Sequence, residues 1–257
     1  TTLAATMLLG TAGMVAGAEE KSVEGMTGAF IPKVTGNAFF ESANDGAQEF
    51  AEKWGITVEY MGSSVAGAAE QVEVIHQAIN TGVDAICIST VDAAGVSDAL
   101  KEAADMGITV CTWDSDANVE DRALMVSQGT PEVLGKMLVD MGVEGLAKRG
   151  KDPAADPIKY CWHYSQATVT DQNSWQVAGE AYIKENYPNW ENVAPDNYYS
   201  EQDSEKAVNV GAAVLDNHSD IDLILCNDST ALPGQLQAAQ NAGLTKDDIT
   251  ITGFASP

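Results

Sequence analysis

Chemistry in this chain has to come from polar side chains that stand where β-rich runs end. Lys33 closes the run TGAFIPK, Asp114 follows ITVCTW and Gln128 follows ALMVS. Asp171 and Gln172 lie in TVTDQN, beyond the run IKYCWHY, and Asn227, Asp228 and Ser229 follow DLILC. Carboxylates and amides accept from or donate to paired hydroxyls, and the rings of Phe39, Phe40 and Trp113 offer faces for C–H patches. The set therefore suits a neutral, polyhydroxylated small ligand. Four or five charged hydrogen bonds of about 1.5–3 kcal/mol each, less the cost of ordering, reach the roughly −8 kcal/mol of a micromolar complex. Each residue also has a plainer use. Lys33 fits a solvated surface amine, Asp114 and Asp171 fit caps of the turn or helix that follows, and Asn227 and Asp228 fit caps of the next helix. Phe39 and Phe40 fit the core face of their own helix, at least one of them in that role.

Other chemistries find less support. His76, His163 and His218 lie far apart with no H-E-x-x-H, and Cys87, Cys111, Cys161 and Cys226 show no C-x-x-C spacing. No metal site, zinc or otherwise, and no thioredoxin motif is expected. The cysteines read as small buried strand residues, although Cys87 and Cys111 come within pairing range if their strands are neighbours. Cys161 and His163 share one strand face and Ser165 follows, but spacing alone does not make a nucleophile site, so the chain is not expected to be an enzyme. Gly62-Ser63-Ser64-Val65-Ala66-Gly67 lacks both G-x-G-x-x-G and the P-loop lysine, so no phosphate-bearing or other cofactor is expected. With 13 basic against 38 acidic side chains the formal charge is −25. Such a field repels nucleic-acid backbones and anionic lipid surfaces.

The elements that must hold these residues follow a regular pattern in a chain of 257 residues. Strands are predicted near 27–33, 56–61, 84–90, 108–113 and 123–127, with helices over 37–54, 66–81 and 94–106. The first helix opens on Asn37, and Gly55, Gly82 and Gly107 supply the stop signals. A second series follows the polar break GKDPAADP, with strands near 158–164, 193–199, 221–226 and 249–254 and helices over 172–186, 203–217 and 229–242. Alternating strands and helices specify α/β structure, here two similar doubly wound parallel-sheet lobes joined by a hinge, over 27–127 and 128–257. In such sheets ligands collect outside the carboxyl ends of the strands, where the polar residues above fall. The second lobe ends directly after a strand and reads as incomplete at its C-terminus. Residues 1–18, apolar and ending in Ala16-Gly17-Ala18, read as part of a secretory signal peptide. No lipobox cysteine accompanies it, so a soluble periplasmic protein is expected.

The stretches FIPKVTGNAFFESANDGAQEFAEKWGITVEY, CTWDSD, SQGTPEVLGKMLVDMG, TVTDQNSW and NDSTALPG together resemble the sugar-type (type I) periplasmic solute-binding proteins of ABC importers. The similarity runs over residues 28–257 and is greatest to the autoinducer-2-binding group and its rhamnose-binding relatives. The resemblance implies two lobes that close on one small sugar-like ligand and hand it to a membrane permease, with no chemistry performed, in a monomer. In the autoinducer-2 group the ligand is held at positions that here carry Lys33, Asp114, Asp171 and Gln172, all matching. Asn227 and Ser229 stand where that group has Pro and Ala. Asn227-Asp228 instead resembles the Asn-Asp of ribose-type binders, yet the carboxylate those binders carry after Gly-Phe is replaced by Ala255 behind Gly253-Phe254. Autoinducer-2 is the favoured ligand on this resemblance, with rhamnose or another pentose or hexose as the alternative. A repressor effector domain shares the fold but calls for a helix-turn-helix, of which residues 1–26 show no sign.

Overall fold

A computed structural model describes residues 22–254. The signal-like segment 1–18 and Ala255 lie outside the described residues. β1 (Thr27–Ile31), β2 (Thr57–Tyr60), β3 (Ala85–Ile88), β4 (Thr109–Trp113) and β5 (Leu124–Val126) form one parallel sheet in the order β2-β1-β3-β4-β5. Successive side chains of a strand point to opposite faces. Ala29, Ile31, Ile86, Ile88 and Val110 are accordingly buried together against α2 (Ala68–Thr81) and α3 (Ser97–Asp105). Their neighbours Phe30 and Trp113 stack on the other face at 4.5 Å, the side of α1 (Ala38–Trp54). The Asn37 side chain accepts from the Phe39 N–H at 3.0 Å to start α1, and Gly55 ends it at φ 66°.

The second parallel sheet is built from β6 (Lys159–Tyr164), β7 (Glu191–Asn192), β8 (Tyr198–Tyr199), β9 (Leu223–Cys226) and β10 (Thr250–Gly253). It runs β10-β9-β6-β7, with β8 also paired to β6. β9 is buried on both faces, as parallel strands flanked by helices are. Tyr160, Trp162, Leu223 and Leu225 pack under α4 (Pro131–Lys148) and α5 (Thr170–Asn186). Cys161, Ile224 and Cys226 pack under α6 (Ser204–Asn217) and α7 (Ala231–Asn241). α4 and α5 cross closely because both carry glycine at the contact. A Cβ on Gly135 would stand 2.6 Å from the Gly179 nitrogen and from the Trp175 carbonyl oxygen.

Several elements differ from the pattern-based expectation, three of them for a plain local reason. The run 193–199 is not one strand: β7 ends at Asn192 before it, and only its last two residues, Tyr198–Tyr199, pair as β8, after a turn in which Asn197 takes φ 59°. α3 starts late because the Asp92 carboxylate accepts from the Ala94 and Gly95 N–H groups and holds them in a turn. α4 was not delineated by pattern at all. Its signals are nonetheless present, Thr130 accepting from the Val133 N–H and Pro131 in the first turn. Cys87 and Cys111 do face each other in register on β3 and β4, as free thiols, with burial pushing the Cys87 thiol up to about 11.

Candidate ligand-binding site

Both sheets change winding direction beside the first strand of the unit, at β1/β3 in one and β6/β9 in the other. The loops leaving those strands diverge there and open a crevice. The two crevices face each other across a cavity of about 370 Å³, within the size range of small-molecule sites. Phe39, Phe40, Asp114 and Gln128 line it from one side. Leu134, Asp171, Gln172, Trp175, Gln202, Asn227, Asp228, Ser229 and Phe254 line it from the other.

Lys33 is the electrostatic centre of this cavity. At 2% exposure it is no surface amine, which corrects that reading. Its Nζ lies 2.9 Å from Asp114 Oδ2 and 3.1 and 3.2 Å from the two Asp171 oxygens, joining the two sides of the crevice. Burial works against the ammonium, but Asp114 and then Asp171 outweigh it and raise the Lys33 pKa above the ordinary lysine value. Two carboxylates thus share one cation, and the trio carries a net negative charge. Burial, together with the like charge of Asp114, lifts the Asp171 carboxyl to about 6 although Lys33 opposes this.

Asp114 stands at φ 61°, a strained position for a residue with a Cβ. Its N–H donates to the Val126 carbonyl at 3.1 Å, the Ser89 hydroxyl donates to its Oδ2 at 2.7 Å, and the Gln128 amide donates to its Oδ1. It caps no helix. Asp171 likewise sits inside the first turn of α5, behind Val169 at the cap position, with its carboxylate turned to Lys33. The capping reading is wrong for both.

Asp228 does cap. Its Oδ1 accepts from the Thr230 and Ala231 N–H groups at 3.0 and 2.7 Å, which delays the start of α7 to Ala231. Its other oxygen accepts from Gln172 Nε2 at 3.1 Å, and burial raises its pKa. Gln172 in turn accepts from the Ser165 N–H and hydroxyl at 3.0 and 2.6 Å, so its amide orientation is set on two sides. Asn227 donates to the Gln172 carbonyl at 2.8 Å, while its Oδ1 is buried with no partner. Ser229 and Thr230 meet Asn37 across the crevice, each hydroxyl 3.2 Å from the Asn37 Nδ2. Further bonds cross the crevice from Gln166 to the Ala66 carbonyl at 2.9 Å and from Thr168 to the Val91 carbonyl at 3.1 Å.

Phe39, Phe40, Asp114, Gln128, Asp171, Gln172, Asn227, Asp228 and Ser229 are therefore gathered at this cavity, with Lys33 beneath its lining, while Trp113 stacks behind Phe39 and is not part of the wall. Phe40 is buried and Phe39 half-buried, their rings in edge contact at 5.2 Å, so only Phe40 also serves the core. Sequence reasoning missed Trp175, Leu134, Phe254 and Gln202 as lining residues. Trp175 was findable, since it lies one helical turn beyond Asp171 on the same face. Gln202 sits in an irregular loop that leaves no periodic signal.

The family model for the periplasmic binding protein domain matches residues 28–257. The chain belongs to the periplasmic binding protein family. Among solved structures, this periplasmic binding protein is similar to LsrB from Clostridium saccharobutylicum in complex with AI-2. The two are 68% identical with a TM-score of 0.89, over 90% of this chain and 71% of that one. An ABC transporter solute-binding protein from Clostridium phytofermentas with bound L-rhamnose shares the fold, with a TM-score of 0.79 at 23% identity, over 90% of this chain and 69% of that one. The D-ribose/D-allose-binding protein of Pseudomonas aeruginosa is 28% identical over 229 residues, covering 84% of this chain. The chain spans 66% of that relative's own length.

Proposed function

We propose that this protein is an extracytoplasmic solute-binding protein of an ABC importer, and that its ligand is autoinducer-2. The observation that supports this most is the 68% identity to the AI-2-bound LsrB, joined to a cavity where Lys33, Asp114, Asp171 and Gln172 converge. In this reading the lobes 27–127 and 128–257 close on the ligand. Asp114 and Asp171 accept from its hydroxyls, Gln172 and Asn227 complete the polar wall, and Phe39, Phe40 and Trp175 pack on its carbon face. Asp228 orients Gln172, and Ser229 bonds to Asn37 to hold the lobes together. The closed monomer then delivers the ligand to a membrane permease. The signal-like residues 1–18 support export to the periplasm, and a charge of −25 argues against a nucleic-acid partner.

A second reading is favoured by Asn227. Its unpartnered buried oxygen calls for a hydroxyl donor at a position where the autoinducer-2 group has proline, which suits rhamnose or another pentose or hexose. Calorimetric titration of the full-length mature protein with autoinducer-2, L-rhamnose, D-ribose and D-galactose separates the two. Tight binding of autoinducer-2 alone supports the first reading, and binding of a plain sugar in preference to it replaces the first by the second. Binding of none refutes both.

A further inference from the structure

We infer that Gln202 is a specificity-determining residue of this site, its side-chain amide accepting a hydrogen bond from a ligand hydroxyl. The inference rests on the binding function proposed above. Gln202 belongs to the loop between β8 and α6, where Glu201 and Gln202 are consecutive non-glycine residues at φ 54° and 58°. Left-handed backbone is unfavourable for residues with a Cβ and persists only where the surroundings enforce it. Here the Ser200 and Glu201 N–H groups donate to the carbonyls of Tyr164 and Ser165 at 2.8 Å each, and Asp203 caps α6 through the Lys206 N–H at 2.7 Å. The loop is thus clamped to the end of β6 on one side and to a helix start on the other. The strained turn directs Gln202 into the cavity wall.

There its Oε1 is buried without any hydrogen-bond donor. A buried acceptor left unpaired is costly, and turning the amide over would bury an unpaired N–H in its place. Either orientation asks for a partner from whatever fills the cavity. Asn227, which lines the same cavity, carries a second buried oxygen with no donor. Two lining residues with unpaired acceptors match a ligand with several hydroxyls, not one that offers only acceptors.

Gln202 has a second property that none of the other lining residues shares. It alone lines both this cavity and a neighbouring one of about 450 Å³, bounded by Ser64, Val65 and Ala66 on one side and by Glu201 and Lys206 on the other. It therefore forms the wall between the ligand cavity and the outer crevice.

The test is calorimetric titration of the full-length parent and of Gln202→Met with autoinducer-2, L-rhamnose, D-ribose and D-galactose. Methionine keeps the length of the wall and removes the amide. Gln202→Ala serves as a second variant, and melting of the unliganded proteins verifies folding. The expected result is at least a tenfold rise in Kd for the ligand that the parent binds, in both variants. A folded variant that binds within twofold of the parent overturns the inference alone. A parent that binds none of the four compounds overturns the binding function and this inference with it.

Discussion

Replacing Asp171 with asparagine sets binding against stability in a way that follows from the shared cation. Asp114 and Asp171 both contact the single ammonium of Lys33, at 2.9 and 3.1 Å, and all three groups are buried. Burial first, and the neighbouring Asp114 charge, lift the Asp171 carboxyl to about 6 against the pull of Lys33. In the unfolded chain the same carboxyl titrates near 3.9. The folded state therefore holds the proton more firmly, and stability falls as pH rises through the window from about 4 to about 6. The gap corresponds to about 3 kcal/mol lost at neutral pH. Asparagine keeps the shape and cannot ionise. The unliganded Asp171→Asn variant should therefore be more stable than the parent by up to about 3 kcal/mol at pH 8, with the advantage shrinking towards zero at pH 4. Ligand affinity should move the other way. Loss of a charged acceptor is worth about 1.5–3 kcal/mol, or roughly a ten- to 150-fold rise in Kd. Urea unfolding at the two pH values and calorimetric titration measure both quantities. A variant less stable than the parent at pH 8, or a difference that does not change with pH, would falsify the shared-cation argument.

Three further changes probe the same construction. Lys33→Met leaves two carboxylates buried without a cation and should cost about 3–5 kcal/mol at pH 7, part of it recovered at pH 5 as Asp171 takes up a proton; melting at both pH values measures this. Gly135→Ala places a Cβ 2.6 Å from backbone atoms of α5, so the helices must separate. A stability loss of about 1–3 kcal/mol should come with weaker ligand binding, because α5 carries Asp171, Gln172 and Trp175, and unchanged affinity would mean the helix position does not matter to the site. Ser229→Ala removes a hydroxyl that bonds Asn37 across the crevice at 3.2 Å. A neutral bond of about 0.5–1.5 kcal/mol that helps hold the two sides together on the ligand predicts up to roughly a twofold to twelvefold loss of affinity, which calorimetric titration measures.

The residues that bound the helices show how far local chemistry reaches. Asn37, Gly55 and Gly82 act within a few residues, through caps and left-handed stops, and the helices they bound are legible from residue types alone. Apolar alternation in β1, β3 and β4 likewise marks strands wherever it occurs. Once those strands and helices alternate, the parallel doubly wound arrangement follows, and the polar residues at the strand ends are candidates by topology. Roles were another matter. Asp171 and Asp228 both precede or open a helix in sequence, yet one faces Lys33 and the other caps α7.

What the chain determined by itself was therefore most of the elements, their alternation and most of the polar groups at the carboxyl ends. Tertiary structure alone decided which of these groups meet. Lys33 and Asp171 are 138 residues apart, and no local rule connects an ammonium to a carboxylate at that separation. Their contact arises because two switch points face each other, and its consequence, a carboxyl raised to about 6, depends on burial that neither residue's neighbours in sequence reveal. The same holds for Ser229 against Asn37 and for the left-handed turn that brings Gln202 to the cavity. Caps and alternation are short-range effects written in adjacent residues. Desolvation, charge sharing and cavity walls are properties of space between elements, and they exist only once the chain has folded.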